Sequence, residues 1–210
     1  MVHDQSVKGW IFDLDGVITN TARYHYLAWK QLADEENLPF NEEINEKLRG
    51  ISRMASLEII IGGREYSGER KAEMTERKNR YYRALLDQLG ADDILPGILP
   101  FFERLKRLGR SLAVGSASRN TEFILERLGL VSWFDGVASG SLVSRAKPAP
   151  DIFIHAAGQL GLPVKQCVVV EDAESGVTGA LVGGFRTVGI GPSGRVGHAH
   201  IRLDSTEQLF

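Results

Sequence analysis

Two aspartates separated by one residue, Asp13 and Asp15, follow the apolar run Trp10-Ile11-Phe12 and precede Gly16. The run predicts a buried strand, and the glycine predicts a tight turn where the backbone leaves it. On an extended backbone, residues two apart project to the same side, so the two carboxylates share a face at the strand tip. Like charges this close are costly unless a divalent cation or a shared proton offsets them. Asp and Gly are also ordinary turn residues, so the pair gains chemical meaning only from what the chain places beside it.

The elements that would do the placing fall into two patterns. Residues 21–37 carry Tyr24, Leu27, Ala28 and Leu32 at helical spacing, with Thr21 as the expected cap. Residues 41–48 are a short helical piece, residues 49–52 break it, and residues 53–61 resume before Gly62-Gly63. Residues 67–89 predict a long charged helix whose buried side is Met74, Tyr81, Leu85 and Leu89. After Pro96-Gly97 the pattern changes to helices at 98–108, 120–128, 151–160 and 175–182 alternating with strands at 111–114, 136–138, 166–170 and 186–190. Residues 191–200 predict a loop, and residues 201–203 an edge strand. Such alternation implies right-handed crossovers and a parallel sheet, completed by the opening strand. The expected class is therefore α/β: a Rossmann-like parallel-sheet core domain of residues 1–20 and 94–210, with an inserted all-helical cap domain of residues 21–93.

Open parallel sheets bind ligands beyond the carboxyl ends of their strands. There this chain offers Asp13 and Asp15, then Ser116 and Ala117, then Lys147, then Glu171-Asp172. Singly, each has a plain reading: a helix-cap hydroxyl, a solvated loop charge, acids at a helix N-terminus. Together they suit phosphoryl transfer. Asp13 is the candidate nucleophile, because a carboxylate is ionised at neutral pH and its acyl phosphate is easily discharged. Asp15 is the candidate general acid and base. Oxygen ligands from Asp13, Asp172 and Glu171 suit Mg²⁺. Lys147, the Ser116 hydroxyl and the Ala117 amide would offset charge on the transferring phosphoryl oxygens.

In order, Asp13-Leu14-Asp15-Gly16-Val17, the Ser116 turn, Lys147-Pro148 and Glu171-Asp172 resemble the four motifs of the haloacid dehalogenase-like superfamily. Residues 16–25, Ala28-Trp29, Gly50-Ile51-Ser52-Arg53, Arg77-Lys78-Asn79 and residues 147–153 resemble its β-phosphoglucomutase family. The resemblance implies an isomerase that interconverts β-glucose 1-phosphate and glucose 6-phosphate through β-glucose 1,6-bisphosphate, with Mg²⁺. It implies that Asp13 is phosphorylated, that Asp15 is the acid and base, and that the Asp15 carbonyl is a metal ligand. It also implies that Gly50, Arg53, Ser118, Arg119 and Asn120 lie near the sugar or its second phosphate, and that Thr21, His25 and Lys78 link cap closure to catalysis. Asn20 stands where an aspartate is usual and Arg119 where a lysine is common; a planar fork replaces a point charge there. The same motifs fit a phosphatase in which water discharges Asp13, or a sugar-phosphate-binding protein without activity.

At 210 residues the chain is long enough for one sizeable core, or for a core plus a small accessory domain, and 43% apolar with 25% charged residues is an ordinary globular balance. A net charge of -2 argues against coating nucleic acid or an anionic membrane. Cys167, the single cysteine, leaves no internal disulfide and reads as a small buried apolar residue. With no secretion-signal pattern and no apolar run of spanning length, the expectation is a cytoplasmic monomer whose partner is a small sugar phosphate.

Overall fold

The computed structural model of the chain describes residues 4–209. Strands β1 Gly9–Phe12, β2 Ser111–Gly115, β3 Gly136–Ala138, β4 Cys167–Glu171, β5 Arg186–Ile190 and β6 Ile201–Leu203 form one parallel sheet in the order β3-β2-β1-β4-β5-β6. Ile11 of β1 pairs with Ala113 on one side and Val169 on the other. The tip of β1 therefore lies between the tips of β2 and β4, at the point where the strand order reverses.

Alternation along β1 sends side chains to both faces. Trp10 and Phe12 pack with Val168, Val170 and, from α5 (Ile98–Arg107), Phe101 and Phe102. Edge-on aromatic contacts, Trp10 to Phe101 at 5.1 Å and Phe12 to Phe102 at 4.9 Å, fix that face. Ile11 joins Ala113, Val169 and, from α7 (Asp151–Gln159), Ile152, Phe153 and Ala156. Burial on both faces explains why these strands are continuously apolar. Helices α6 Thr121–Arg127 and α8 Glu174–Val182 complete the covering layers.

Between β1 and α5 run α1 Ala22–Glu35, α2 Glu42–Glu46, α3 Arg53–Ile61 and α4 Gly68–Leu86. Asn41, Ser52 and Ser67 cap α2, α3 and α4 by accepting from the N–H groups of Ile44, Ala55 and Arg70. These helices bury Trp29, Leu32, Leu57, Ile60, Ile61 and Met74 in a cluster of their own. The far end of α4 behaves differently, because Tyr82 and Leu86 enter the core beneath the sheet.

Two expected faces are corrected. Leu27 is 39% exposed while Trp29 and Ala33 are buried. In α4 the inward face is Met74, Thr75, Lys78, Tyr82 and Leu86, with Tyr81 and Leu85 only half-buried. The reason is that α4 packs on two bodies, the insert's cluster and the sheet core, so no single apolar stripe describes it. The expected loop at 191–200 contains a helical turn, α9 Ser193–Val196. Gly189 of β5 lets it dock, since a Cβ there would lie 2.7 Å from Val196 Cβ. Among the described residues no helix is long and apolar enough to cross a membrane.

Candidate active site

Asp13 stands one residue beyond β1, where its N–H donates to the Val170 carbonyl at 2.9 Å. Its carboxylate accepts from Lys147 Nζ, which also donates to Glu171 Oε2 at 2.7 Å. Burial opposes the Lys147 charge, but Asp13 and Glu171 more than offset this and hold the ammonium above the ordinary lysine value. Glu171 Oε1 accepts from the N–H groups of Asp172 and Ala173 at 3.2 and 3.0 Å. Burial first, and then Asp13, push the Glu171 and Asp172 carboxyls upward.

Asp13, Glu171 and Asp172 each bring one carboxylate oxygen within 4.8 Å of the others. This hard, anionic donor set fits a divalent cation. Asp13 and Asp172 are the more open donors, because Glu171 already accepts three hydrogen bonds. The backbone closes on these acids at a glycine: a Cβ on Gly16 (φ +87) would lie 2.3 Å from Asp172 Oδ2.

Asp15 is not among the carboxylates of that cluster. Its Oδ1 accepts from the Thr21 hydroxyl, and Oδ2 lies 3.9 Å from His25 Nε2. Thr21 occupies the cap position of α1 but makes no cap bond. Its hydroxyl is turned to Asp15 and accepts from Tyr82 Oη at 3.1 Å, which corrects the expected capping role. Burial, then Asp13, push the Asp15 carboxyl up to about 6. Asn20 Oδ1 accepts from the Ala22 N–H at 3.2 Å, an acceptor role that an aspartate would also fill.

Lys78 is a lysine only 2% exposed. Its Nζ lies over the Trp29 and Tyr82 rings, 4.9 and 4.6 Å from their centroids, and 2.8 Å from His25 Nδ1. Burial, then Arg53, hold it well below the ordinary lysine value, while burial, then Lys78 and Arg53, do the same to His25. In the tautomer whose Nδ1 accepts from Lys78, the His25 proton sits on Nε2, on the side of Asp15.

A cavity of about 430 Å³ lies between the sheet edge and the helical insert. Every expected site residue lines it except Thr21 and Glu171, which stand behind its wall. Ser116 is 2% exposed; its N–H donates to Ala138 O at 3.0 Å, and its Oγ accepts from the Ser118 N–H at 3.1 Å, so the hydroxyl proton is left to point elsewhere. Ala117, Ser118, Arg119 and Asn120 continue this wall, and Gly50 faces it from the insert. Arg53 lines the cavity from the insert, and α4 holds it there, Nη1 on Glu76 and Nη2 on Asn79 Oδ1, each at 2.9 Å. Asn79 Oδ1 also accepts from Asn120 Nδ2 at 2.9 Å, tying the insert to the sheet. Burial, then Arg119 with its like charge, lower the Arg53 pKa.

Sequence reasoning missed Tyr82, Arg49 and Arg195. Tyr82 was hidden by assigning Tyr81 to the buried face. Arg49 Nη1 lies 3.2 Å from Asp172 Oδ2, and only its place beside Gly50 hinted at a role. Arg195, whose Nε donates to the Asp172 carbonyl at 2.7 Å, carried no signal.

A switch-point sheet with paired carboxylates, a buried lysine and a hydroxyl turn at its carboxyl edge defines an α/β phosphoryl-transfer enzyme. The family model described as haloacid dehalogenase-like hydrolase matches residues 7–184. The β-phosphoglucomutase of Bacillus subtilis (strain 168) is 42% identical over 189 residues, 88% of this chain and 84% of that one. A crystal structure of β-phosphoglucomutase from Clostridium difficile superposes with a TM-score of 0.94 at 38% identity, covering 97% of this chain and 93% of that one. The fructose-1-phosphate phosphatase of Escherichia coli (strain K12) is 30% identical, covering 87% and 95%. The chain belongs to the haloacid dehalogenase-like hydrolase family, among its β-phosphoglucomutase relatives.

Proposed function

We propose that the protein interconverts β-D-glucose 1-phosphate and D-glucose 6-phosphate through an aspartyl-phosphate enzyme and β-glucose 1,6-bisphosphate, with Mg²⁺ as its cation. One observation carries this reading: two cationic positions face one cavity, Lys147 beside Asp13 and the Arg53/Arg119 pair on the wall. A phosphatase needs the first alone, whereas a mutase must hold a phosphate at each end of one sugar. The 42% identity to a β-phosphoglucomutase supports the same choice.

The free hydroxyl of the bound monophosphate gives its proton to Asp15 and takes the phosphoryl group from phosphorylated Asp13, which forms the bisphosphate. Asp13 then attacks the other phosphorus of that bisphosphate, its bond to the sugar oxygen breaks, and Asp15 gives its proton to that oxygen. Lys147, the Ser116 hydroxyl and the Ala117 amide balance charge on the equatorial oxygens, while Arg53, Ser118, Arg119 and Asn120 hold the distal phosphate or sugar. Mg²⁺ on Asp13, Glu171, Asp172 and the Asp15 carbonyl would neutralise the charge of the transferring group. Thr21, His25 and Lys78 orient Asp15. Residues 21–93, with Gly50 at the cavity, act as a lid that keeps water from the aspartyl phosphate, over a core of residues 1–20 and 94–210.

The test is to incubate protein, Mg²⁺ and β-glucose 1-phosphate with a trace of the bisphosphate. Glucose 6-phosphate should accumulate, and Asp13→Asn should abolish it. Inorganic phosphate as the sole product would replace this reading with a phosphatase.

A further inference from the structure

Asp172 is gripped by two arginines that the phosphoryl chemistry leaves unused. Arg49, in the turn after α2, places Nη1 3.2 Å from Asp172 Oδ2. Arg195, in α9, donates Nε to the Asp172 carbonyl at 2.7 Å and holds Nη2 3.8 Å from Oδ2. Both arginines also converge on Glu46, the last residue of α2: Arg49 through Nε at 3.2 Å and Nη2 at 3.1 Å, Arg195 through Nη1 at 3.0 Å. The result is a square of alternating charge. Two corners, Glu46 and Arg49, belong to the helical insert, and two, Asp172 just beyond β4 and Arg195 of α9, to the part of the chain that carries the sheet.

The charge count around the acidic cluster gives the square its meaning. Lys147 serves Asp13 and Glu171, so the counter-charge for Asp172 comes from the two arginines. We infer that Arg49 and Arg195 stand in for a divalent cation at Asp172, so that cation and arginine pair compete for one carboxylate. Glu46 makes the competition mechanical, because it already accepts from both guanidiniums and can keep them on the insert when they leave Asp172. This inference rests on Asp13, Glu171 and Asp172 being the cation site. A divalent charge beside Asp172 repels both guanidiniums and leaves Glu46 to receive them. Linkage then requires that whatever loosens the arginines' hold on Asp172 tightens the cation by the same factor. Arg195 is the residue to vary, since it does not line the cavity; it is a positioning residue, acting through Asp172.

The experiment measures Mn²⁺ binding to the full-length protein by electron paramagnetic resonance, with folding checked by circular dichroism. Arg195→Gln removes a competing charge and should tighten Mn²⁺ about three- to tenfold. Arg195→Lys retains the charge and should stay near the parent value. Glu46→Gln removes the carboxylate that both arginines share with Asp172, leaves Asp172 as their remaining anionic partner, and should weaken Mn²⁺. A merely structural role would move Arg195→Gln and Glu46→Gln in the same direction, and that result, or parent affinity in Arg195→Gln, overturns the inference. Absence of Mn²⁺ binding in the parent would instead overturn the cation site itself, and the inference with it.

Discussion

Asp15 must be an acid in one half of the proposed cycle and a base in the other, which calls for a carboxyl near neutrality. Burial and the adjacent Asp13 push it up to about 6. The step in which Asp15 accepts a proton should therefore accelerate as pH rises through about 6 and level off above. Stopped-flow discharge of phosphorylated enzyme by glucose 6-phosphate reads that limb directly. Asp15→Asn should slow the step by about 10²- to 10⁴-fold and remove the limb. Arg53 gives a second prediction at this scale. It is remote from Asp13 chemistry but held toward the cavity by Glu76 and Asn79. Arg53→Ala should cut mutase kcat/KM by about 10²-fold, the loss of a charge-assisted bidentate anion contact of about 1.5–3 kcal/mol. Hydrolysis of p-nitrophenyl phosphate, which has no second phosphate, should change little. Equal losses in both assays would place Arg53 in the scaffold instead.

Gly50 sits where the break between α2 and α3 meets the start of α8. Its φ is +73, a Cβ would lie 2.6 Å from Ala173 Cβ, and its carbonyl accepts from Ser175 Oγ at 3.3 Å. Gly50→Ala should destabilise the protein by roughly 1–3 kcal/mol through backbone strain and prop the insert away from the sheet. Urea unfolding measures the first effect, and a rise in KM with modest loss of kcat measures the second. This contact also shows what was legible in the sequence. A parallel sheet followed from the alternation of apolar runs and helices, and the residues at its carboxyl edge followed from strand tips, because both depend on short-range periodicity; the order of the strands did not. The inward face of α4 did not, since the helix packs on two bodies at once, with Met74 in one cluster and Tyr82 in the other. Arg195 was out of reach for another reason. Its partners Glu46 and Asp172 are remote in the chain, and neither spacing nor periodicity encodes such a meeting.

Over the whole molecule, buried acids with raised pKa values make stability depend on pH, and a bound cation should change that dependence. Glu171 and Asp172 are raised by burial and by Asp13, and Asp15 is raised to about 6, against about 4 in an unfolded chain. Over that interval the native state holds more protons than the unfolded state. The stability these acids contribute is thus fully present below the unfolded value and lost as pH rises through the native ones. His25 and Lys78, lowered by burial, act in the opposite sense, but their effect is common to protein with and without cation and cancels in the difference. A divalent cation can occupy the cluster only where its protons have left. The thermal shift on adding Mg²⁺ should therefore be small at pH 5 and grow toward pH 8. At about 100 times Kd it reaches about 2.7 kcal/mol, or roughly 5–10 °C for a chain of this size. Scanning calorimetry across that range checks the slope. A Mg²⁺ shift equal at both ends would mean that the ion is held by groups other than Asp13, Glu171 and Asp172.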